Sequence, residues 1–145
     1  TLDTVLKSLM VASTGEQEIT LKLSEQAENI VEKFREAGVH PTHVTYMVIL
    51  KMCAQDRDPK RARNIIERMK KGLILDANGN PMYPYTYHYS LLIHTHMLAG
   101  ELERVKPILQ EMIALVRAYR NPDTAKETYQ SLVSRNSIRM RKLGP

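Results

Sequence analysis

The 145-residue sequence has no tryptophan, one cysteine, one phenylalanine, six glycines and seven prolines. Each shortage excludes something. A lone cysteine, Cys53, rules out an internal disulfide framework and a thiolate cage for a metal, and suits a reducing compartment. Sparse glycine and proline, with no low-complexity tract, argue against disorder except at the extreme C-terminus. No stretch approaches the roughly 18 apolar residues of a membrane span, so a soluble chain without membrane insertion is expected. The first residue is Thr1 rather than methionine, so any leader has been removed or lies outside the sequence. There is no glycine-flanked serine elbow, no phosphate loop and no recognisable pair of catalytic carboxylates. His94 and His96 would point roughly 200° apart on a helix, too far round to share a metal, so His88, His94 and His96 read as surface or packing residues. No enzyme activity, metal, cofactor or small-molecule substrate is therefore expected.

What the sequence does contain is period. Ala27, Ile30, Val31 and Phe34 fall at i, i+3, i+4 and i+7, as do Ala62, Ile65, Ile66 and Met69, and Val105, Ile108, Leu109 and Met112. Each set is one apolar stripe on a helix, called here a B helix. The same spacing precedes two of them in Tyr46, Ile49, Leu50, Cys53 and in Tyr89, Leu92, Ile93, His96, the A helices. Leu2, Val5, Leu6 and Leu9 give a weaker A stripe, and Tyr129, Leu132 and Val133 begin another. The order reads A-B-A-B-A-B-A, with almost no strand signal.

Punctuation agrees with the stripes. Gly38 followed by Pro41 closes the first B helix, Asp58-Pro59 caps and opens the second, and Thr124 with Glu127 forms a capping box before the last A helix. Pro107 falls inside the third B stripe, so that helix should begin late or kink near Arg104. From Ala27 to Ala62 is 35 residues, the size of one helical hairpin in a stacked repeat. Extra residues fall in the stretch around Asn78-Gly79 and in a lengthened third B helix. The expected architecture is all-α, a right-handed superhelical solenoid of helix-turn-helix hairpins. Its expected parts are a degenerate hairpin (1–42), a repeat with an inserted loop at 73–85 (43–85), a repeat with an extended second helix (86–125), and a partial repeat with a basic tail (126–145).

The formal charge is +5. Lys60, Arg61, Arg63, Arg68, Lys70 and Lys71 cluster on the second B helix with Glu67 the one acid among them, and Arg139, Arg141 and Lys142 stand in the C-terminal tail. B helices face outward in a hairpin stack. This cluster is therefore either a solvated face or a contact for RNA phosphates or an acidic protein. Tyr83, Tyr85, Tyr87 and Tyr89 alternate strictly. They could stack bases, although Tyr89 and Tyr87 also fit an A-helix core while Tyr83 and Tyr85 pack a proline-rich loop. Cys53, on an apolar stripe, reads as a small buried hydrophobe.

These residues together resemble the pentatricopeptide repeat family. The resemblance rests on the Thr45-Tyr46 and Thr128-Tyr129 openings with Tyr87-His88-Tyr89 as a variant, on Ala27 and Ala62, on Met69 and Met112, on the Gly38/Pro41 junction, and on the turn-like residues 98–105. It implies single-stranded RNA held in a concave groove lined by the A helices, one base per repeat. It also implies base reading by the residue after the A-helix tyrosine with the last residue of the unit: Met47 with Tyr85, and Ser90 with Ala125 or Asp123. Val44 and Tyr87 complete the implied groove. Met47 cannot supply the paired donor and acceptor that a base edge requires, so the code is weak. The resulting expectation is a non-enzymatic RNA-binding or scaffold subunit of an organellar ribonucleoprotein, with rRNA or another single-stranded RNA and neighbouring proteins as partners. The mitochondrial matrix, and the mitochondrial ribosome in particular, is the first expectation, and a plastid the second. The alternatives are a free sequence-specific transcript-binding factor and a tetratricopeptide-like protein scaffold.

Overall fold

A computed structural model describes residues 2–12 and 21–118. Six α-helices occupy them: α1 (Leu2–Ala12), α2 (Leu23–Glu36), α3 (His43–Asp56), α4 (Pro59–Lys70), α5 (Thr86–Leu98) and α6 (Val105–Ala118), the last preceded by a 3-10 turn at Leu102–Arg104. Among the described residues the one trace of β-structure is an isolated bridge between Leu75 and Pro81. The helices are the expected A and B elements in alternation. The last expected A helix, with Thr124, Glu127 and Tyr129, lies outside the described residues.

Local chemistry sets the helix ends. The Thr45 backbone N–H donates to Thr42 Oγ1 at 3.3 Å and the Thr42 N–H donates back to Thr45 Oγ1 at 2.9 Å, a reciprocal box that opens α3. Asp58 Oδ1 accepts from the Arg61 N–H at 3.1 Å, and Pro59 follows at the first helical position, opening α4. Gly38, at φ +86°, lets the Val39 N–H return to the Phe34 carbonyl at 2.8 Å and closes α2. Pro107 sits in the first turn of α6, where its missing N–H breaks no intrahelical bond. The helix begins late, as its proline requires.

Helices α1, α3 and α5 pack side by side with α3 in the middle; α2 lies against α1 and α3, α4 against α3 and α5, and α6 against α5. The core is built from the periodic stripes: Leu6, Ile49, Leu50, Cys53, Ala62, Ile65, Ile66, Met69 and Tyr89 are all sealed from solvent. Burying each large aliphatic side chain contributes about 1.5–3 kcal/mol, so the stripes are the main source of cohesion. The α6 stripe is the exception. Its Val105, Ile108 and Met112 are half-buried and Leu109 is exposed, because α6 has a described neighbour on one side only. The segment 73–85 adds to the core instead of merely looping out. Its Ile74 and Met82 are buried, tied by the Met82 N–H to the Ile74 carbonyl at 2.9 Å, while Asp76 Oδ1 accepts from the Asn78 and Asn80 N–H groups to close the tip.

Candidate nucleic-acid interface

Helix period fixes which side of each A helix stays open. On α3 the neighbours α1, α2, α4 and α5 cover every face but one, leaving Val44, Lys51 and Gln55 exposed with Met47 half-buried between them. The corresponding face of α5 carries half-buried Tyr87 with exposed Ser90, His94 and Leu98, and α1 presents exposed Lys7. Ser90 Oγ donates to its own helix at the Thr86 carbonyl (3.1 Å) and lies 3.9 Å from Met112 Sδ, so its hydroxyl retains acceptor capacity toward solvent.

A four-ring cluster stands beside this face, where α3 and α5 begin. Tyr85 stacks on His43 at 4.1 Å between centroids and 18° between planes, and Tyr87 rests on His88 at 4.2 Å. Of the four tyrosines in strict alternation, Tyr89 is fully buried, Tyr83 and Tyr87 are half-buried, and Tyr85 is 38% exposed. His88 is fully buried and holds two elements at once: its Nδ1 accepts from the Tyr85 N–H at 2.9 Å, and its Nε2–H donates to the His43 carbonyl at 3.0 Å. Burial lowers its pKa from 6.5 to about 4, reinforced by the His43 charge and opposed by the bond to the His43 carbonyl, so the ring is neutral at physiological pH. His43 in turn donates from Nε2 to the Tyr83 carbonyl at 3.1 Å, anchoring the inserted segment. His96 is buried as well, bonding Glu101 from Nδ1 at 2.8 Å across the turn after α5. His88 and His96 are therefore packing residues, and His94 alone of the three is on the surface.

The basic cluster on α4 is less open than its sequence suggests. Lys70 is a correction: counted from the sequence in a cluster that meets solvent, RNA phosphates or an acidic partner, it is 3% exposed, with its ammonium 2.8 Å from both Glu67 and Glu111. A buried ammonium needs such partners, and α6 supplies the second. Arg61 lies within salt-bridge distance of Glu25, Glu28 and Asp58, and Arg68 within that of Glu28, so α2 supplies counter-charges to α4. Lys60 and Lys71 are exposed and Arg63 is half-buried. Arg139, Arg141 and Lys142 lie outside the described residues, as do Asp123 and Ala125.

The carboxylates are segregated. Every glutamate among the described residues lies on α2, α4, α6 or the turn before α6. The A helices carry two acids, and both are engaged: Asp3 Oδ1 accepts from Thr45 Oγ1 at 2.6 Å, while Asp56 Oδ2 accepts from the Ser24 hydroxyl at 2.6 Å and N–H at 2.8 Å. The open A-helix face thus carries exposed Lys7 and Lys51 and no glutamate, with Asp3 tied to Thr45. Lys7 and Lys51 escape a search for charge clusters; the signal that finds them is shared register on successive stripes. Among the described residues no group of three or more histidine, cysteine, aspartate or glutamate side chains could hold a metal ion, and no helix is long and apolar enough to cross a membrane.

Compared with known proteins, the chain matches the pentatricopeptide repeat domain model twice, over residues 19–56 and 44–75, which span α2 to α4. This segment belongs to the pentatricopeptide repeat family, in agreement with the resemblance read from the Thr-Tyr openings and the Gly38/Pro41 junction. No curated protein and no solved structure matches the chain.

Proposed function

We propose that this is a non-enzymatic helical-repeat protein that binds single-stranded RNA along the open face of α1, α3 and α5. The observation that carries the reading is the segregation of charge: glutamates confined to the B side, and lysines on an A side whose two carboxylates are both hydrogen-bonded. Exposed Lys7 and Lys51 offer a polyanion cationic contacts on the A side, whereas Arg61, Arg68 and Lys70 of the B side are already paired with glutamates. On this reading the hairpins continue as repeats at 43–85 and 86–125 in a right-handed solenoid, with 126–145 as a further partial repeat. Val44, Met47, Tyr85, Tyr87 and Ser90 then border the RNA. Exposed Lys60 and Lys71, with half-buried Arg63, can support it or a protein neighbour from the outer side. Arg61, Arg68 and Lys70 are occupied within the chain.

The wider role we assign is that of a subunit of an organellar ribonucleoprotein, with the mitochondrial ribosome as the particle. Proteins of this family are typically organellar, which supports that setting. Exposed Leu102, Leu109, Ile113 and Val116 at the α6 end form an apolar surface that the further partial repeat or a neighbouring protein can cover. A free sequence-specific factor is disfavoured by Met47, whose thioether reads no base edge. Fluorescence anisotropy with single-stranded and duplex RNA tests the binding, with preference for single strands expected and no affinity at low salt contradicting it. Gradient sedimentation of organelle extract tests the assembly. Co-migration with ribosomal subunits supports it, and a slow peak of free protein contradicts it.

A further inference from the structure

The segment between α4 and α5 carries an Asn-Gly pair at its tip, and Asn78 and Gly79 are both exposed. An asparagine side chain is an electrophile for the backbone nitrogen that follows it, wherever that nitrogen is unhindered and can lose its proton. Gly79 has no Cβ to shield its own nitrogen, and nothing lies within 4 Å of the place a Cβ would take. The other asparagines of the described residues lack these conditions. Asn29 and Asn64 lie inside α2 and α4, each followed by a β-branched isoleucine whose N–H belongs to the helix, and Asn80 precedes Pro81, whose nitrogen has no proton to lose.

Asp76 restrains the reacting pair. Its carbonyl accepts from the Gly79 N–H at 3.1 Å, and its Oδ1 accepts from the Asn78 and Asn80 N–H groups at 2.9 Å each. The Asp76 N–H donates in return to the Asn80 carbonyl at 2.9 Å. One residue thus holds the backbone on both sides of the Asn78–Gly79 bond and engages the proton that the attacking nitrogen must lose. Opening the tip frees both. The base of the hairpin is secured separately, by buried Ile74 and Met82 and by the bond from His43 to the Tyr83 carbonyl, so the tip can open without unfolding the insertion.

We infer that Asn78 is a self-modification site, converted through a succinimide to aspartate and isoaspartate, with Asp76 as the clamp that sets the rate. Base removes the Gly79 amide proton, and the nitrogen attacks Asn78 Cγ. The new C–N bond closes the ring as the carboxamide nitrogen takes a proton and leaves as ammonia. Water then opens the succinimide at either carbonyl, so the net change is one water taken up and one ammonia released. Aspartate at position 78 adds a negative charge beside Asp76. Isoaspartate also adds a methylene to the main chain, which breaks the spacing that lets Asp76 Oδ1 hold the Asn78 and Asn80 N–H groups together. The modification therefore removes its own clamp and loosens the insertion from the tip.

The test is timed incubation of the full chain in mildly alkaline buffer, followed by peptide mass spectrometry and by labelling with an isoaspartyl carboxyl methyltransferase and a labelled methyl donor. Position 78 should be converted ahead of Asn29, Asn64 and Asn80, with isoaspartate among the products, and Asn78→Gln should abolish methyl labelling of this peptide. Asp76→Ala should react several-fold faster than the parent while melting at the same temperature. In denaturant, where no turn remains, the parent should speed up and the difference between the two should disappear. Another of these asparagines reacting first, or aspartate at 78 with no isoaspartate, would overturn the succinimide site. An Asp76→Ala variant no faster than the parent, or one whose advantage persists in denaturant, would overturn the clamp, the second because it assigns the effect to charge and not to the turn.

Discussion

His88 does in α5 what Thr45 does in α3. Thr45 Oγ1 accepts from the Thr42 N–H at 2.9 Å and donates to Asp3 on α1, while His88 Nδ1 accepts from the Tyr85 N–H at 2.9 Å and Nε2 donates to the His43 carbonyl on α3. Each caps its own helix and ties it to the preceding A helix. An imidazole with one acceptor and one donor nitrogen does this only while neutral.

The first prediction follows from that neutrality. The folded-state pKa of His88 is depressed below 6.5 to about 4, so its contribution is fully present above pH 6.5 and is lost as pH falls toward 4, where only the unfolded chain takes up the proton. The loss should total on the order of 3 kcal/mol across that window. Thermal melts between pH 7 and 4 check it: the parent should lose stability steadily, and His88→Gln, already weaker at pH 7, should show a flatter profile.

A second prediction concerns Cys53, fully buried on the α3 stripe, where burial pushes the thiol up to about 12 against a small lowering by the Ser24 hydroxyl. The reactive thiolate is therefore suppressed twice, by protonation and by access. A thiol reagent such as DTNB should fail to label the native protein at neutral pH and should label it promptly in denaturant.

Lys70 supplies a third. Replacing it with glutamate places a carboxylate between Glu67 and Glu111 in a buried setting and should cost about 3 kcal/mol or more. Lys60→Glu, on the exposed face of the same helix, should stay within about 0.5 kcal/mol. Denaturant midpoints of the two variants distinguish a structural lysine from a surface one.

Arg57 supplies a fourth. It ends α3 in the left-handed region at φ 52°, where α2 and α5 are followed by Gly38 and Gly100 at φ +86° and +76°. A side chain in that conformation costs roughly 1 kcal/mol, so Arg57→Gly should raise the melting temperature.

The helices and their stripes were legible in the sequence because burial on one face imposes a 3.6-residue period, and Gly38, Pro41 and Asp58-Pro59 mark ends by local chemistry alone. Cys53 was legible for the same reason. The open face was harder to read. Lys70 sits in a basic run and looks solvated until Glu111, from a helix far along the chain, is seen to close over it. His88 looks like a surface histidine until the His43 carbonyl is placed against it. In both cases the deciding partner comes from another hairpin, and periodicity within one helix carries no information about what a neighbouring helix brings. Even so, residue-by-residue register between helices was available in the sequence, and exposed Lys7 and Lys51 could have been found that way.

The most direct test of the account is where RNA touches the chain. Photocrosslinking to a 4-thiouridine oligonucleotide, followed by peptide mapping, should place adducts in α1, α3 and α5, at peptides containing Lys51 and Tyr87. Adducts confined to α2, α4 or α6 would contradict the assignment of the A-helix face as the RNA-binding surface.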